Sequence, residues 1–115
     1  MHEFALAQDI IDTISRHIKE DISLLKAIHI EAGQFSGVVT DSLEFGLQMI
    51  LQEKQLKDVR IEITSVQAVA LCECGTRYSL CDIGETCPQC HSFTRSIDSG
   101  KDVIIKSIEI EDNNV

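Results

Sequence analysis

The sequence predicts an α+β fold: two helices packed on a small mixed sheet of about three strands, with a cysteine-rich lobe inserted late in the chain. Two segments repeat apolar residues at helical spacing, and three segments alternate apolar and polar residues as strands do. All five cysteines lie between the second and third of these strands, and four of them form two close pairs. We therefore expect one domain formed by 1–66 and 101–115, interrupted by a small lobe at 67–100.

The two helices are predicted at 3–20 and at about 40–55. Their apolar residues recur three or four positions apart, which places them on one face of each helix. Thr40 or Asp41 has the side chain of a helix N-cap, and Asp41 with Glu44 three residues later fits a capping box. The apolar positions are Phe4, Ala7, Ile11, Ile14 and Ile18 in the first helix and Leu43, Leu47, Ile50 and Leu51 in the second.

The three strands are predicted at 24–32, 59–66 and 102–111. In the first, Ile28, Ile30 and Ala32 share one face, and Gly33 closes the strand before a loop at 34–37. We expect the second and third strands to pair in one sheet that both helices cover. The cysteine pairs then form an insertion between these two strands.

Composition excludes several classes of protein. The chain has 115 residues with a net charge of −9, and such an acidic field repels the phosphates of nucleic acids. Neither a signal segment nor an apolar run of membrane-spanning length is recognisable, so we expect a cytoplasmic protein without a membrane partner. Thiols stay reduced in that compartment, which favours metal binding by cysteines over disulfides.

The cysteine pairs are Cys72-Glu73-Cys74 and Cys87-Pro88-Gln89-Cys90. Four thiolates on two short segments are a ligand set of structural Zn(II), which binds sulfur at about 2.3 Å in a tetrahedron with no open position. The second pair predicts a tight turn. The first has one intervening residue. If that segment is extended, side chains two apart point the same way, and both thiolates can reach one ion. Disulfide pairing and free thiols are the alternatives.

Two residues near these pairs are further candidates. We expect Cys81 to pack inside the lobe as a small apolar side chain. His91 directly follows Cys90 and is expected at the surface. Either residue is a substitute fourth ligand if the unusual spacing keeps Cys72 away from the metal.

The chain begins Met1-His2-Glu3. A free α-amine, the following backbone amides and an imidazole can wrap one divalent ion in fused chelate rings. Nitrogen sites of this kind suit Ni(II) or Cu(II). Alone this is a weak signal, because an exposed terminal histidine commonly has no role.

Three stretches together resemble the hydrogenase-maturation nickel metallochaperone family: the Met1-His2-Glu3 start, the segment 30–38 (IEAGQFSGV), and Cys74-Gly75 with Cys87-Pro88-Gln89-Cys90. The resemblance covers essentially the whole chain. It implies a nickel-binding α/β lobe with an inserted zinc-ribbon-like lobe. Nickel would be cargo held by Met1, His2 and Glu3, and structural zinc would be bound by Cys72, Cys74, Cys87 and Cys90.

The resemblance also implies partners. Members pass nickel toward the large subunit of [NiFe] hydrogenase together with a nickel-binding GTPase, and in some organisms they also serve urease maturation. The chain departs from the family at the first cysteine pair, where two intervening residues are more usual and Leu71 holds the position of the expected ligand. Cys72 is expected to compensate.

No constellation for catalysis is recognisable in the sequence. It lacks a glycine-rich phosphate loop followed by Lys and Ser or Thr, so the chain is expected to bind a GTPase rather than to be one. Four thiolates would saturate zinc and leave no position to activate water. The alternative function is a zinc-ribbon adaptor for protein interactions, whose N-terminal histidine is incidental.

Overall fold

In the computed structural model, which describes residues 3–18, 21–56 and 58–111, the chain forms two α-helices and six strands. A short 3-10 helix at Ile22–Leu24 precedes the first strand. The elements are α1 (Glu3–His17), β1 (Leu25–Gly33), α2 (Thr40–Glu53), β2 (Arg60–Val66), β3 (Val69–Cys72), β4 (Arg77–Ser79), β5 (Arg95–Ser99) and β6 (Val103–Ile110). The predicted α+β class is confirmed.

The first sheet has the order β2-β1-β6. Strand β1 pairs parallel with β2 and antiparallel with β6, so the sheet is mixed, as predicted. A parallel pair needs a crossover connection, and α2 supplies it between β1 and β2. The two outer strands belong to one sheet as expected, but β1 lies between them and they do not pair with each other.

Both helices and the first sheet enclose the larger hydrophobic core. Gly46 allows α1 and α2 to approach, since a Cβ at this position would lie 3.3 Å from Cβ of Ala7. The buried residues of this core are Ala7, Ile10, Ile11, Ile14, Ile18, Leu25, Ile28, Ile30, Leu43, Leu47, Ile50 and Leu51. The apolar positions predicted for the two helices lie in this core, apart from Phe4, which is exposed.

The start of α2 differs from the prediction. Val39 is the N-cap residue, Thr40 is already helical, and no side-chain cap bond is formed there, so the predicted capping box is wrong. The backbone N–H of Val39 donates instead to a carboxylate oxygen of Glu3, at 3.3 Å. A carboxylate from the other helix thus satisfies a donor at the N-terminal end of α2, where negative charge is favoured.

The second sheet has the order β4-β3-β5, with both pairs antiparallel. Its three strands flank the cysteine pairs and were not predicted. The core behind them is small: Ala68, Ala70 and Leu80 are buried, and Phe35, Tyr78 and Ile97 pack against them. Short strands separated by turns give too little alternation for a sequence pattern to reveal them.

The two sheets meet where backbone segments touch. A Cβ on Gly33 would lie 2.2 Å from the carbonyl carbon of Gly100, so glycine is required at this position of β1. Gly100 has φ +84°, and a Cβ there would lie 2.6 Å from Cα of Ala68. The N–H of Phe35 donates to the Gly100 carbonyl at 2.8 Å.

The loop after β1 contacts both sheets. The backbone N–H of Gln34 donates to Val66 at 2.8 Å. The Gln34 side chain accepts from the Ala68 N–H at 2.9 Å and donates to the Cys81 carbonyl at 3.1 Å. Phe35, next in sequence, packs on the second core. Gln34 and Phe35 therefore fasten the cysteine lobe to the end of β1.

Among the described residues, no helix combines the length and the apolar character needed to span a bilayer.

Candidate metal centre

The structure brings four thiols together. The sulfur atoms of Cys72, Cys74, Cys87 and Cys90 all lie within 4.8 Å of one another. Sγ of Cys72 lies 3.4 Å from Sγ of Cys90, and Sγ of Cys74 lies 3.7 Å from Sγ of Cys87. Sulfurs at the corners of a zinc tetrahedron with bonds of about 2.3 Å are about 3.8 Å apart. The size and the donor set of this cluster therefore fit Zn(II).

The first cysteine pair forms a turn, so the extended segment considered from the sequence is not what brings its two thiols to the cluster. Strand β3 ends at Cys72, and the Gly75 N–H donates back to the Cys72 carbonyl at 2.9 Å, which closes a turn. Gly75 has φ +94°, a conformation that glycine adopts without strain. The turn exists because β3 and β4 form a hairpin, with the Cys72 N–H bonded to the Thr76 carbonyl at 2.9 Å.

The second pair forms the tight turn that was predicted. The His91 N–H donates to the Cys87 carbonyl at 2.9 Å, and the Cys87 N–H donates to the Ser92 carbonyl at 3.1 Å. The Gln89 N–H points at Sγ of Cys87, 3.4 Å away. An N–H directed at sulfur favours the thiolate, the form that binds metal.

The two turns are also tied to each other. The Glu73 N–H donates to the Thr94 carbonyl at 3.2 Å, and the Ser92 hydroxyl donates to the Glu73 carboxylate at 3.0 Å. Because Glu73 stands between the first two cysteines and Ser92 follows the last, these bonds hold the pairs in register.

The surroundings of the four thiols give them different pKa values. The Thr76 hydroxyl, 3.2 Å from Sγ of Cys74, and the Thr76 backbone lower the pKa of Cys74 to about 6. The Cys74 backbone lowers the pKa of Cys72, but burial and the neighbouring thiols outweigh it and raise the value to about 12. Thr76 is a supporting residue that sequence reasoning missed, since its only signal is its position two residues after Cys74.

Cys81 and His91 lie outside this cluster. Cys81 is exposed, so the prediction that it packs inside the lobe is wrong; its neighbour Leu80 is fully buried instead. The Gln67 side-chain amide lies 3.7 Å from Sγ of Cys81. His91 is exposed, as predicted, and has φ +63° at the end of the second turn.

Of the predicted nickel ligands, the structure describes only Glu3. Met1 and His2 lie outside the described residues. Glu3 is the first residue of α1, and its half-buried side chain bonds Val39 at the beginning of α2. This predicted ligand is thereby joined to the start of both helices.

Comparison with known proteins identifies the family. A family model described as "Hydrogenase/urease nickel incorporation, metallochaperone, hypA" matches residues 1–110. The chain belongs to the HypA family. The resemblance stated from the three motifs is confirmed.

Curated HypA relatives match along nearly their whole length. The hydrogenase maturation factor HypA of Francisella philomiragia is 32% identical, with 94% of this chain and 97% of that protein covered. The protein of the same name from Prosthecochloris aestuarii is 33% identical over 96% of this chain and 100% of its own. The similarity to both relatives therefore extends over nearly the whole chain.

Solved structures agree with the fold. The solution structure of the Ni metallochaperone HypA from Helicobacter pylori has a TM-score of 0.69 and 19% identity, covering 96% of this chain and 98% of that one. A second solution structure, titled HypA protein, has a TM-score of 0.70 and 21% identity, covering 96% of each chain. At these identities the likeness concerns the fold alone.

Proposed function

We propose that this chain is a nickel metallochaperone that binds Ni(II) at Met1, His2 and Glu3 and delivers it for the maturation of [NiFe] hydrogenase. The observation that carries the proposal is the match to the nickel-incorporation family from residue 1, where Met1-His2-Glu3 stands. An amine, backbone amides and an imidazole supply the nitrogen ligands that suit Ni(II).

A terminal site suits a carrier better than the cysteine cluster does. Transfer requires ligands that a recipient can displace, and a chain end offers access that a closed tetrahedron does not. The Glu3 contact with Val39 supports the proposal, because it anchors the residue beside the terminus to the helical layer. Because the Glu3 side chain is held in this way, nickel binding would have less conformational entropy to remove at this residue.

The cysteine cluster is proposed as a structural zinc site. Cys72, Cys74, Cys87 and Cys90 would hold the ion, whose chemical contribution is to cross-link the two turns in a closed tetrahedron. With every ligand position filled by sulfur, neither cargo nor a catalytic water has a place there. We accordingly propose a carrier without enzymatic activity.

The family supports further proposals about organisation and partners. The nickel-binding domain comprises 1–66 and 101–115, and the zinc lobe 67–100. The partners are a nickel-binding maturation GTPase, the precursor of the hydrogenase large subunit and, in some organisms, urease maturation proteins. The proposed compartment is the cytoplasm, where thiols remain reduced for zinc.

Nickel titration of the zinc-loaded, untagged chain tests the proposal. We expect one nickel per chain in the native protein and none in His2→Ala. A single Gly added before Met1 should weaken binding as much, because it turns the amine ligand into a peptide nitrogen. His17→Ala is the matched control, since His17 is an exposed histidine at the other end of α1.

The outcome separates the two functions that the sequence left open. Full nickel binding by both His2→Ala and the Gly-extended chain would contradict a terminal nickel site and favour the zinc-ribbon adaptor. Zinc content and circular dichroism, measured on the same samples, show whether a variant is damaged in general.

A further inference from the structure

Four large apolar side chains are exposed on α1, on α2 and at the residue that precedes α2. Phe4, Val39, Phe45 and Met49 are 57%, 57%, 62% and 40% exposed, respectively. We name this set the outer apolar patch. Phe45 and Met49 are one helical turn apart, and such pairs are neighbours on a helix surface.

The patch spans both helices because Gly46 lets Phe4 approach α2. A Cβ on Gly46 would lie 3.6 Å from Cα of Phe4 and 3.7 Å from Cδ2 of its ring. Gly46 follows Phe45 and precedes Met49 by one turn. The backbone N–H of Val39 donates to the carboxylate of Glu3, so Val39 lies close to the residue that precedes Phe4.

The other large exposed apolar side chains of the described residues belong to neither helix. Ile83 and Phe93 are in the cysteine lobe, and Ile104 and Ile110 are at opposite ends of β6. Scattered apolar residues are normal at a protein surface, whereas a contiguous group with aromatic members is typical of a protein-binding site.

The two segments that carry the patch have acidic charges only. The segments 3–15 and 39–53 contain no Lys, Arg or His. None of their carboxylates belongs to an ion pair among the described residues, since the four pairs there lie in other segments. The carboxylates are those of Glu3, Asp9, Asp12, Asp41, Glu44 and Glu53.

We propose that the outer apolar patch docks a partner polypeptide segment whose apolar face is flanked by Lys and Arg. Apolar side chains of the partner would cover Phe4, Phe45 and Met49, and its cations would face the surrounding carboxylates. A second copy of this chain does not fit, because it would place like charges opposite each other. Burial of aromatic side chains supplies affinity, and the charges supply orientation and encounter rate.

The patch includes a residue close in sequence to the proposed nickel ligands. Glu3, a proposed nickel ligand, directly precedes Phe4 in the sequence, so the bound segment would lie beside the cargo. This consequence rests on the proposed function. The docking itself does not, and it is tested without nickel.

The test titrates the zinc-loaded, untagged chain into a fluorescent synthetic helix with leucines on one face and lysines on its flanks. We expect micromolar binding that weakens with salt and is absent when the lysines are replaced by glutamates. Phe45→Ser and Met49→Ser should each weaken binding about tenfold or more, the loss typical of a central apolar contact. Phe93→Ser, which removes a phenylalanine 61% exposed in the other lobe, should leave the affinity unchanged.

Three results would overturn the proposal. The first is absence of binding. The second is equal weakening by Phe45→Ser and Phe93→Ser, because attraction would then be diffuse charge alone. The third is a dimer of the native chain, seen by analytical ultracentrifugation, that Phe45→Ser dissociates, because the occupant would then be a second copy. Nickel titration of Phe45→Ser should match the native chain, which separates failure of docking from failure of the nickel site.

Discussion

The two sheets have the same number of strands, but they differ in what stabilises them. The β2-β1-β6 sheet is covered by α1 and α2 and encloses the larger core, rich in Ile and Leu. The β4-β3-β5 sheet has three buried core residues, two of them alanines. Burial of apolar area stabilises by about 25 cal/mol per Å², so the second sheet gains much less from its core. We expect metal binding by its four clustered thiols to supply the stability that the large core supplies in the first sheet.

The two lobes should therefore lose stability through different kinds of substitution. Removal of a large apolar side chain should damage the helical lobe, and removal of a thiol should damage the cysteine lobe. The contacts of Gly33, Gln34 and Phe35 decide whether damage in one lobe reaches the other. Three variants test these statements, in order of decreasing expected effect on stability.

The largest effect is expected from Cys87→Ala combined with Cys90→Ala. Zinc ligation in small modules contributes about 10–16 kcal/mol of folding free energy, far more than three buried side chains can supply. The variant should bind no zinc and lose the ordered β4-β3-β5 sheet, while α1 and α2 persist. Zinc analysis and amide chemical shifts of the two lobes measure both results. Full zinc content in this variant would sink the assignment of the ligands.

The fold illustrates what a sequence pattern can and cannot reveal. Both helices and the three strands of the first sheet were predictable, because their long apolar repeats all pack in one core. The N-cap at Val39 was not, since its donor is satisfied by Glu3, which is distant in sequence. No local pattern records such a contact.

The candidate site shows the same limit. The identity of the four clustered cysteines was predictable from their pairing, and the structure brings their sulfurs together. The conformation of the first pair was not, because the turn at Gly75 follows from the hairpin of β3 with β4. The contact of Thr76 with Cys74 depends on that turn as well.

A smaller effect is expected from Leu47→Ala in the core of the helical lobe. Leu47 is fully buried, and a Leu→Ala substitution that leaves a cavity costs about 2–5 kcal/mol. The helical signal of this variant should melt at lower temperature, while the folded variant at 25 °C keeps its zinc. Gln48→Ala, an exposed neighbour on α2, is the control and should melt like the native protein. Zinc loss from folded Leu47→Ala would contradict separate stabilisation of the two lobes.

The smallest of the three effects is expected from Gly33→Ala, at the contact between the lobes. The added methyl group would lie 2.2 Å from backbone of Gly100, so the two segments must move apart, at a typical cost of about 1–3 kcal/mol. Gly84→Ala is the matched control, because a Cβ there has no neighbour closer than 3.5 Å. Both variants should bind zinc fully, since neither glycine touches the thiols. Hydrogen exchange should quicken in Gly33→Ala at Phe35, whose N–H is bonded to Gly100, while α1 and the cysteine turns exchange as in the native chain. If Gly33→Ala is as stable as Gly84→Ala, the close approach of the lobes does not contribute to stability, and their relative placement depends on Gln34 and Phe35 alone.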